Sequence, residues 1–426
     1  MRYFYTILFY LALPYSFLRL LWRSRKQKAY RQHWGERLGF CPLKFEQSIW
    51  IHAASVGETI AAIPLIKALQ LQYPALPIIV TNMTITGRAR TQAAFGDTVY
   101  KAFIPYDVPS AVNRFLGRVN PIVAVILETE LWPNLFAACK TRHIPIVVAN
   151  ARLSEKSAAG YHKVSAITQE MLLNIHTLAV QTQIEADRFQ VLGLPPERAV
   201  VTGNIKFDLE IPGDLLSKRD ALRAELGIDR LIWVAASTHA TEEDIVLAAH
   251  KAICAKYPDA LLILVPRHPD RFESIFALCQ QQGFEAVRRA QGEKCKATTQ
   301  VYLADTMGEM LLMYAVCDVA FVAGSFAAVG GHNMLEAAVL GKPVVTGEIL
   351  FNFAEISRSL IAAKGMITVK DQIGLQNAII TLFADRNYRQ TMGENGKRFV
   401  DANRGALQKQ LQLIQVAINS SRFKSA

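Results

Sequence analysis

Several things are scarce in this chain of 426 residues. Its six cysteines, Cys41, Cys139, Cys254, Cys279, Cys295 and Cys317, include no Cys-x-x-Cys pair and no metal-ligand spacing with histidine. They read as reduced thiols in a reducing compartment, which argues against a disulfide scaffold or a zinc fold. No Asp-x-Asp pair occurs to hold a metal on a nucleotide diphosphate, so the expected chemistry is metal-independent and needs no cofactor. Charged residues make up only 19% of the chain against 51% hydrophobic ones, which excludes a disordered protein. Basic residues interleaved with aromatics do not recur beyond the N-terminus, so nucleic acid is not an expected partner. A cleaved signal peptide is also disfavoured, because the basic residues follow the first apolar run instead of preceding it.

What is present begins with a net charge of +11, which calls for an anionic partner. Tyr3–Leu18 is almost wholly apolar and aromatic, and Arg19, Arg23, Arg25, Lys26, Lys28 and Arg31 follow it. A spanning helix needs ~20 apolar residues, so this segment is marginal in length. Pro14 and the aromatic richness fit a shallow interfacial anchor, and the basic flank fits an anionic membrane surface. If the segment spans, its flank puts the body of the protein on the cytoplasmic side. The competing reading is a helix buried in the globular body.

The length calls for two domains. From Ser48 onward β-branched runs alternate with helical patterns. Strands are expected at Ser48–Ala53, Pro77–Thr81, Thr98–Ile104, Pro121–Leu127, Ile144–Ala149, Thr177–Gln181 and Ala199–Thr202. A second series follows at Leu231–Ala236, Ala260–Val265, Thr299–Leu303, Asp318–Val322 and Pro343–Thr346. This is the βαβ pattern of doubly wound parallel sheets, and Glu210-Ile211-Pro212-Gly213-Asp214 reads as the linker. The last stretch, from about Gln372, reads as helical. The α/β fold expected is GT-B, with two Rossmann-like domains facing across a cleft behind an N-terminal anchor. Residues 1–22 would be the anchor, 23–210 the first domain and 211–426 the second, its last helix free to pack back on the first. Epimerases and phosphorylases share that layout.

The run Trp50-Ile51-His52-Ala53-Ala54-Ser55-Val56-Gly57-Glu58 reads as a buried strand, a small-residue turn and a helix opening on a carboxylate. Open α/β folds bind ligands at that edge, so Glu58 is a candidate general base. His52 reads as a hydrogen-bonded core residue. Glu128 and Glu130 follow another strand; either could orient a substrate or a lysine, and Glu128 reads better as a helix cap. Lys206, in Gly203–Asp208, closes the first half. In the second half, Ser237-Thr238-His239 follows a strand and reads on its own as a plain N-cap. Arg267, in Val265-Pro266-Arg267-His268-Pro269, is either an anion-binding cation or half of a surface salt bridge. Ala323–Glu336 is neither a Gly-x-Gly-x-x-Gly nor a Walker loop. Its glycines would admit a ligand to the backbone, a helix is expected to start near His332, and Glu336 could accept from a ribose. It is the best nucleotide cradle in the chain.

These segments together resemble the 3-deoxy-D-manno-octulosonic acid (Kdo) transferases, the family 30 glycosyltransferases of Gram-negative lipopolysaccharide synthesis. The resemblance rests on Trp34-Gly35-Glu36-Arg37-Leu38-Gly39, Ile51–Glu58, Glu128–Asn134, Asn150-Ala151-Arg152-Leu153-Ser154, Gly203–Asp208, Ser237–His239, Val265–Pro269, Asp305-Thr306-Met307-Gly308-Glu309 and Gly330–Glu336, in order over nearly the whole chain. One loop departs from the pattern: Gly347 is followed by Glu348, Ile349 and Leu350 where Gly-Pro and a small or polar pair precede Phe-Asn-Phe.

The resemblance implies an inner-membrane, cytoplasm-facing enzyme. It would transfer Kdo from CMP-β-Kdo to the lipid A precursor (lipid IVA) with inversion. It implies Glu58 as the base, with a pKa lowered by the helix N-terminus, and Glu130 and Lys206 organising the donor sugar. Ser237, Thr238, Pro266, Arg267, Met307, Gly308, Glu309, Ser325, Gly330, Gly331, Asn333 and Glu336 would hold CMP, with Ser55 and Gly57 on the acceptor side. Two other readings stay open: a UDP-sugar transferase or epimerase of the same fold, and a membrane-bound lipid-binding protein without catalysis.

Overall fold

The computed structural model describes residues 1–25, 32–42 and 44–422. Lys26, Lys28 and Arg31 of the basic flank lie outside the described residues. The chain divides into two compact units, Met1–Asp208 with Arg404–Ala426, and Leu209–Asn403.

The first unit is built on β1 (Ser48–His52), β2 (Ile78–Asn82), β3 (Tyr100–Phe103), β4 (Pro121–Leu127), β5 (Ile146–Ala151), β6 (Thr177–Val180) and β7 (Ala199–Val201). They form a seven-stranded parallel sheet in the order β3-β2-β1-β4-β5-β6-β7. Every residue of β1 and β5 is buried, as expected where helices cover both faces of a parallel sheet. Trp50 fixes one face: its indole donates to Thr81 Oγ1 at 2.9 Å and its ring meets Phe115 edge-on at 5.1 Å.

The second unit contains β8 (Ile232–Thr238), β9 (Leu261–Pro266), β10 (Ala286–Arg288), β11 (Val301–Leu303), β12 (Val319–Val322), β13 (Val344–Thr346) and β14 (Met366–Thr368). They too make a seven-stranded parallel sheet, ordered β10-β11-β9-β8-β12-β13-β14. The sequence reading misses β10 and β14. Both are edge strands of three residues, too short for a run or an alternation to register. In each sheet the first strand sits centrally, and the chain turns the opposite way after it. The switch points are therefore β1 beside β4 and β8 beside β12, where an open α/β sheet forms a crevice at its strand C-termini.

Two helices complete the first unit. In Ala406–Arg422, Leu411, Ile414, Ala417 and Ile418 join Ile49, Ile51, Val123 and Val125 in one core cluster, a helical stripe laid on the sheet. Asp208 accepts from Gly405 N at 2.6 Å and Leu407 N at 2.7 Å, capping that helix from far along the chain. Gln410, fully buried, accepts from Asn150 N at 3.1 Å and donates to Thr202 Oγ1 at 3.1 Å.

The N-terminal helix is Arg2–Ser24. Within it Arg2–Trp22, of mean hydropathy 1.4, is long and apolar enough to cross a membrane, and none of its most apolar window is buried. A helix buried in the body is therefore not what forms. One stripe at i, i+4 spacing touches the unit: Arg2 pairs with Glu170 at 3.2 Å, Thr6 Oγ1 with Asn134 at 3.0 Å and Tyr10 with Ser110 at 2.9 Å. Phe17 continues it against Trp34 and Tyr106, while Tyr3, Phe4, Ile7, Leu11, Leu18 and Trp22 stay exposed.

The Trp34–Gly39 segment is a brace. Buried Glu36 takes Arg88 at 2.5 Å and Phe103 N at 2.7 Å. Arg37 donates to Met83 O at 3.0 Å and lies 4.3 Å over the Phe103 ring. Gly39 has φ +81, and a Cβ there would fall 2.1 Å from Ala111 O. The segment ties down the loops leaving β2 and β3.

Candidate active site

In the first unit, the crevice beside β1 and β4 gathers carboxylates. Glu58 opens the helix Val56–Gln72, whose N-cap is Ser55. The Ser55 hydroxyl donates to Glu58 Oε1 at 2.7 Å, and Ala54 N donates to Oε2 at 2.7 Å. Ser55 and Glu58 thus resemble a capping box, with Ala54 N taking the reciprocal bond. Each oxygen keeps a further lone pair able to accept a proton. Burial raises the Glu58 pKa above the ordinary carboxylate value, against the two hydrogen bonds, and the Glu128 charge adds to it. This corrects the expectation of a lowered pKa: desolvation outweighs the hydrogen bonds made at the helix start. Gly57 beside it is exposed, and an added Cβ would meet nothing nearer than Ser55 Oγ at 3.9 Å.

Glu130 follows β4, and its pKa is pushed up to about 7, first by burial and then by the Glu58 charge, with Glu128 adding to it. The buried indole N–H of Trp132, which has no partner at normal hydrogen-bonding geometry, opposes the shift. Glu128 is not the helix cap expected. It sits at φ +56, takes Arg152 Nε at 3.0 Å and Nη2 at 2.9 Å, and has Lys206 Nζ at 3.7 Å. The following helix, Pro133–Thr141, is capped by Asp107, which accepts from Asn134 N at 3.0 Å and Leu135 N at 2.7 Å. Asp107 was beyond sequence reasoning because it acts from another loop. Lys206 has an ion pair with Glu128. His52 is fully buried beside Thr81, with its pKa lowered to about 4 by burial, and is a core residue.

In the second unit, the crevice lies at the ends of β9, β8 and β12. Ser237 and Thr238 are the last residues of β8, not an N-cap; the helix Glu242–Lys256 begins after Thr241, which makes no side-chain cap. The register shifts between Ala236 and Thr238, and Ser237 sits at φ +59, a bulge that re-aims the strand end. Thr238 Oγ1 is buried with no hydrogen-bond partner among the described residues. Pro266 ends β9. Arg267 after it is exposed and has no salt bridge among the described residues, so the surface-pair reading fails.

The loop after β12 differs from its expected form. Its helix is Leu335–Ala338, four residues starting beyond His332. The amides at its glycine-rich start are already taken. Buried Glu242 accepts from Gly324 N at 2.9 Å, Ser325 N at 3.0 Å and Phe326 N at 3.0 Å, besides His239 N at 3.0 Å. Ser325 is fully buried; its hydroxyl donates to Val322 O at 3.0 Å and accepts from Gly347 N at 2.8 Å, so it is internal structure and not a ligand contact. Gly330 and Gly331 have φ +97 and +79, and a Cβ would strike Phe351 at 2.5 Å and Leu350 at 2.8 Å respectively. The missing Cβ atoms thus make room for the Phe351 and Leu350 side chains.

Asn333 donates to Glu336 Oε1 at 3.1 Å and accepts from Leu335 N at 3.2 Å. Burial raises the Glu336 pKa, opposed by Asn333 and the Arg267 charge. Glu309 is held by Arg289 through two bonds of 2.6 Å, which lowers its pKa. Its carboxylate is thus engaged. Exposed Met307 and Gly308, at φ +85 with open space around it, remain beside it. Sequence reasoning missed Glu242, Arg289 and Asp107; each acts across sequence distance, and no local signal marks it. Among the described residues no three His, Cys, Asp or Glu side chains are grouped so as to hold a metal ion.

Residues 32–209 match the family profile described as 3-deoxy-D-manno-octulosonic-acid transferase (kdotransferase), and residues 229–399 match that of glycosyl transferases group 1. The chain is 44% identical over 422 residues to the 3-deoxy-D-manno-octulosonic acid transferase of Haemophilus influenzae, covering 97% of this chain and 98% of that one. The transferase of the same name from Bordetella pertussis is 34% identical over 383 residues, 88% of each chain. Among solved structures, UDP-GlcNAc 2-epimerase from Neisseria meningitidis bound to UDP-GlcNAc aligns with a TM-score of 0.57 over 88% of this chain and 100% of its own, at 14% identity. That last likeness is one of fold alone.

Proposed function

The chain belongs to the Kdo transferases, glycosyltransferases of GT-B fold, and from that premise we propose that it moves Kdo from CMP-β-Kdo onto the lipid A precursor lipid IVA with inversion. The observation that carries this reading is the pair of carboxylates at the first switch point, Glu58 buried and Glu130 half-buried. Glu58 and Glu130 stand after β1 and β4, and the charge of Glu58 helps hold a proton on Glu130. A carboxylate that favours a proton on its neighbour lets the two act in different protonation states in one site.

Glu58 is the base. It accepts the proton of the acceptor hydroxyl as that oxygen bonds to the anomeric carbon. The bond from that carbon to the phosphate oxygen breaks, and its electrons leave with CMP. Its raised pKa brings Glu58 closer to the working pH, which favours a general base. Glu130 and Lys206 serve the sugar, with Glu128, itself held by Arg152, pairing with Lys206. Ser55 and Gly57 border the acceptor. Ser237, Thr238, Pro266, Arg267, Asn333 and Glu336 hold CMP, together with the backbone of Met307, Gly308 and Glu309. Arg267, charged and without an ion pair among the described residues, meets the phosphate.

The helix Arg2–Ser24 attaches the enzyme to the anionic cytoplasmic face of the inner membrane, where its acceptor lies. Its polar stripe is bound along the first unit from Arg2 to Phe17, which supports an in-plane anchor over a spanning one.

The deciding experiment incubates the purified chain with CMP-Kdo and lipid IVA and weighs the product. Mass gain in whole Kdo units supports the reading and counts the transfers. Turnover with UDP-sugars and none with CMP-Kdo would overturn it.

A further inference from the structure

Three histidines from three strand ends meet at the switch point of the second unit, and the reaction above uses none of them. His239 follows β8, His268 follows β9 and His332 follows β12. Nε2 of His239 and Nε2 of His332 are 2.8 Å apart, with ring centroids 5.0 Å apart and planes within 6°. The centroid separation is about the contact plus two ring radii. The rings therefore lie edge to edge in one plane, the geometry of an N–H···N hydrogen bond and not of a stack. The His268 ring stands across His239 at 5.2 Å, and His332 packs on Gly324, where a Cβ would fall 2.7 Å from its ring.

Such a contact limits the charge the pair can carry. One Nε2 bears a proton and the other accepts it, so two imidazolium rings cannot face each other there. The pair holds one positive charge or none. The groups that act on it come from every strand end around it. Glu242 and Glu243 lie on its own β8 side, Arg267 and His268 come from β9, and Glu336 comes from the helix after β12, acting on Arg267. Burial lowers the His332 pKa to about 4, with the charges of Arg267, His239 and His268 adding to it, and burial lowers that of His239 too. Both shifts favour the neutral pair when no anion is bound. An anion on Arg267 cancels the largest of those charges and attracts a proton to the rings.

We propose that the His239–His332 pair takes up one proton from solvent when a nucleotide phosphate binds beside Arg267, and that the resulting imidazolium stabilises the phosphate as it leaves. This rests on the reading that CMP binds at this edge. In the donor the phosphate is a diester with one negative charge; as the bond to Kdo breaks it becomes a monoester with close to two. A cation already held beside it lowers the barrier to that change. The histidines touch the phosphate and not the sugar, so the proton stays on the pair throughout transfer.

The test is calorimetry of CMP binding to the full chain in detergent, in buffers of different ionisation enthalpy. Uptake approaching about one proton per CMP near pH 6.5, shrinking towards pH 8.5, is expected. Cytidine, which lacks the phosphate, should bind without uptake. The phosphate of CMP ionises near pH 6 and releases a proton when it meets a cation, so the sign separates it from the pair. His332→Gln and His239→Gln should each abolish the uptake and weaken CMP by about tenfold, or 1.4 kcal/mol. Binding with no buffer dependence, or uptake unchanged in both variants, overturns this inference and leaves the reaction as proposed. CMP that does not bind at all overturns both.

Discussion

Glu242 Oε1 accepts the amide of Ser325 at 3.0 Å, although 83 residues separate them. The same carboxylate holds Gly324, Phe326 and His239 amides, so the helix Glu242–Lys256 and the loop after β12 are one piece. Replacing it would leave several buried N–H groups unsatisfied, each worth about 1–3 kcal/mol and not fully additive. Glu242→Ala should lower the stability of the second unit by about 3 kcal/mol or more and abolish CMP binding. Urea titration with CMP calorimetry on the same samples reads both; full CMP affinity in a stable variant would contradict the role given to Glu242.

Glu58→Gln should separate chemistry from structure. The amide oxygen can still accept from Ala54 N or the Ser55 hydroxyl, so the thermal midpoint should move little. Kdo transfer should fall by about 10²–10⁴, the usual contribution of a general base, with CMP affinity unchanged. Ser55→Ala, by contrast, should destabilise by about 1 kcal/mol through the lost N-cap. Product assays alongside melting curves decide.

Glu130 gives a pH signature whose sign follows from its raised pKa. Its contribution to stability is complete below the unfolded value near 4.5 and is lost as pH rises through about 7. Stability should therefore decline across that window in the wild type and decline less in Glu130→Gln. The same substitution should remove any step near pH 7 from the kcat/KM profile. A profile and a stability curve both indifferent to Glu130→Gln would show that this carboxyl does not titrate there.

The N-terminal helix makes the last prediction. Leu11 and Leu18 lie on its exposed face, away from the Arg2, Thr6 and Tyr10 contacts. Leu11→Glu with Leu18→Glu should weaken binding to anionic vesicles by at least tenfold and leave the melting curve of the body unchanged, since each buried leucine is worth about 1.5–3 kcal/mol. Flotation with liposomes measures it. Retained flotation would mean that another surface carries the attachment.

Much of this was legible in the chain because the signals are local. The strands β1 and β4 are continuous apolar runs, and a parallel sheet covered on both faces produces such runs. The carboxylates Glu58 and Glu130 were found because they directly follow such runs. The edge strands β10 and β14 escaped because three residues carry no period. The pKa of Glu58 was read with the wrong sign because the helix N-terminus is visible in sequence, whereas burial is not.

The sequence by itself determined the alternation of strands and helices, the apolar basic-flanked N-terminus and the motifs that mark the family, since each is a property of adjacent residues. Tertiary structure alone decided which groups are already engaged. The amides of Gly324–Phe326 are filled by Glu242, Glu309 is bound to Arg289, and Lys206 has its ion pair with Glu128. It also brought His239 to His332. The reason is common to all four. Hydrogen bonds and ion pairs act over about 3–4 Å of space, and a parallel sheet sets side by side strand ends that lie dozens of residues apart in the chain.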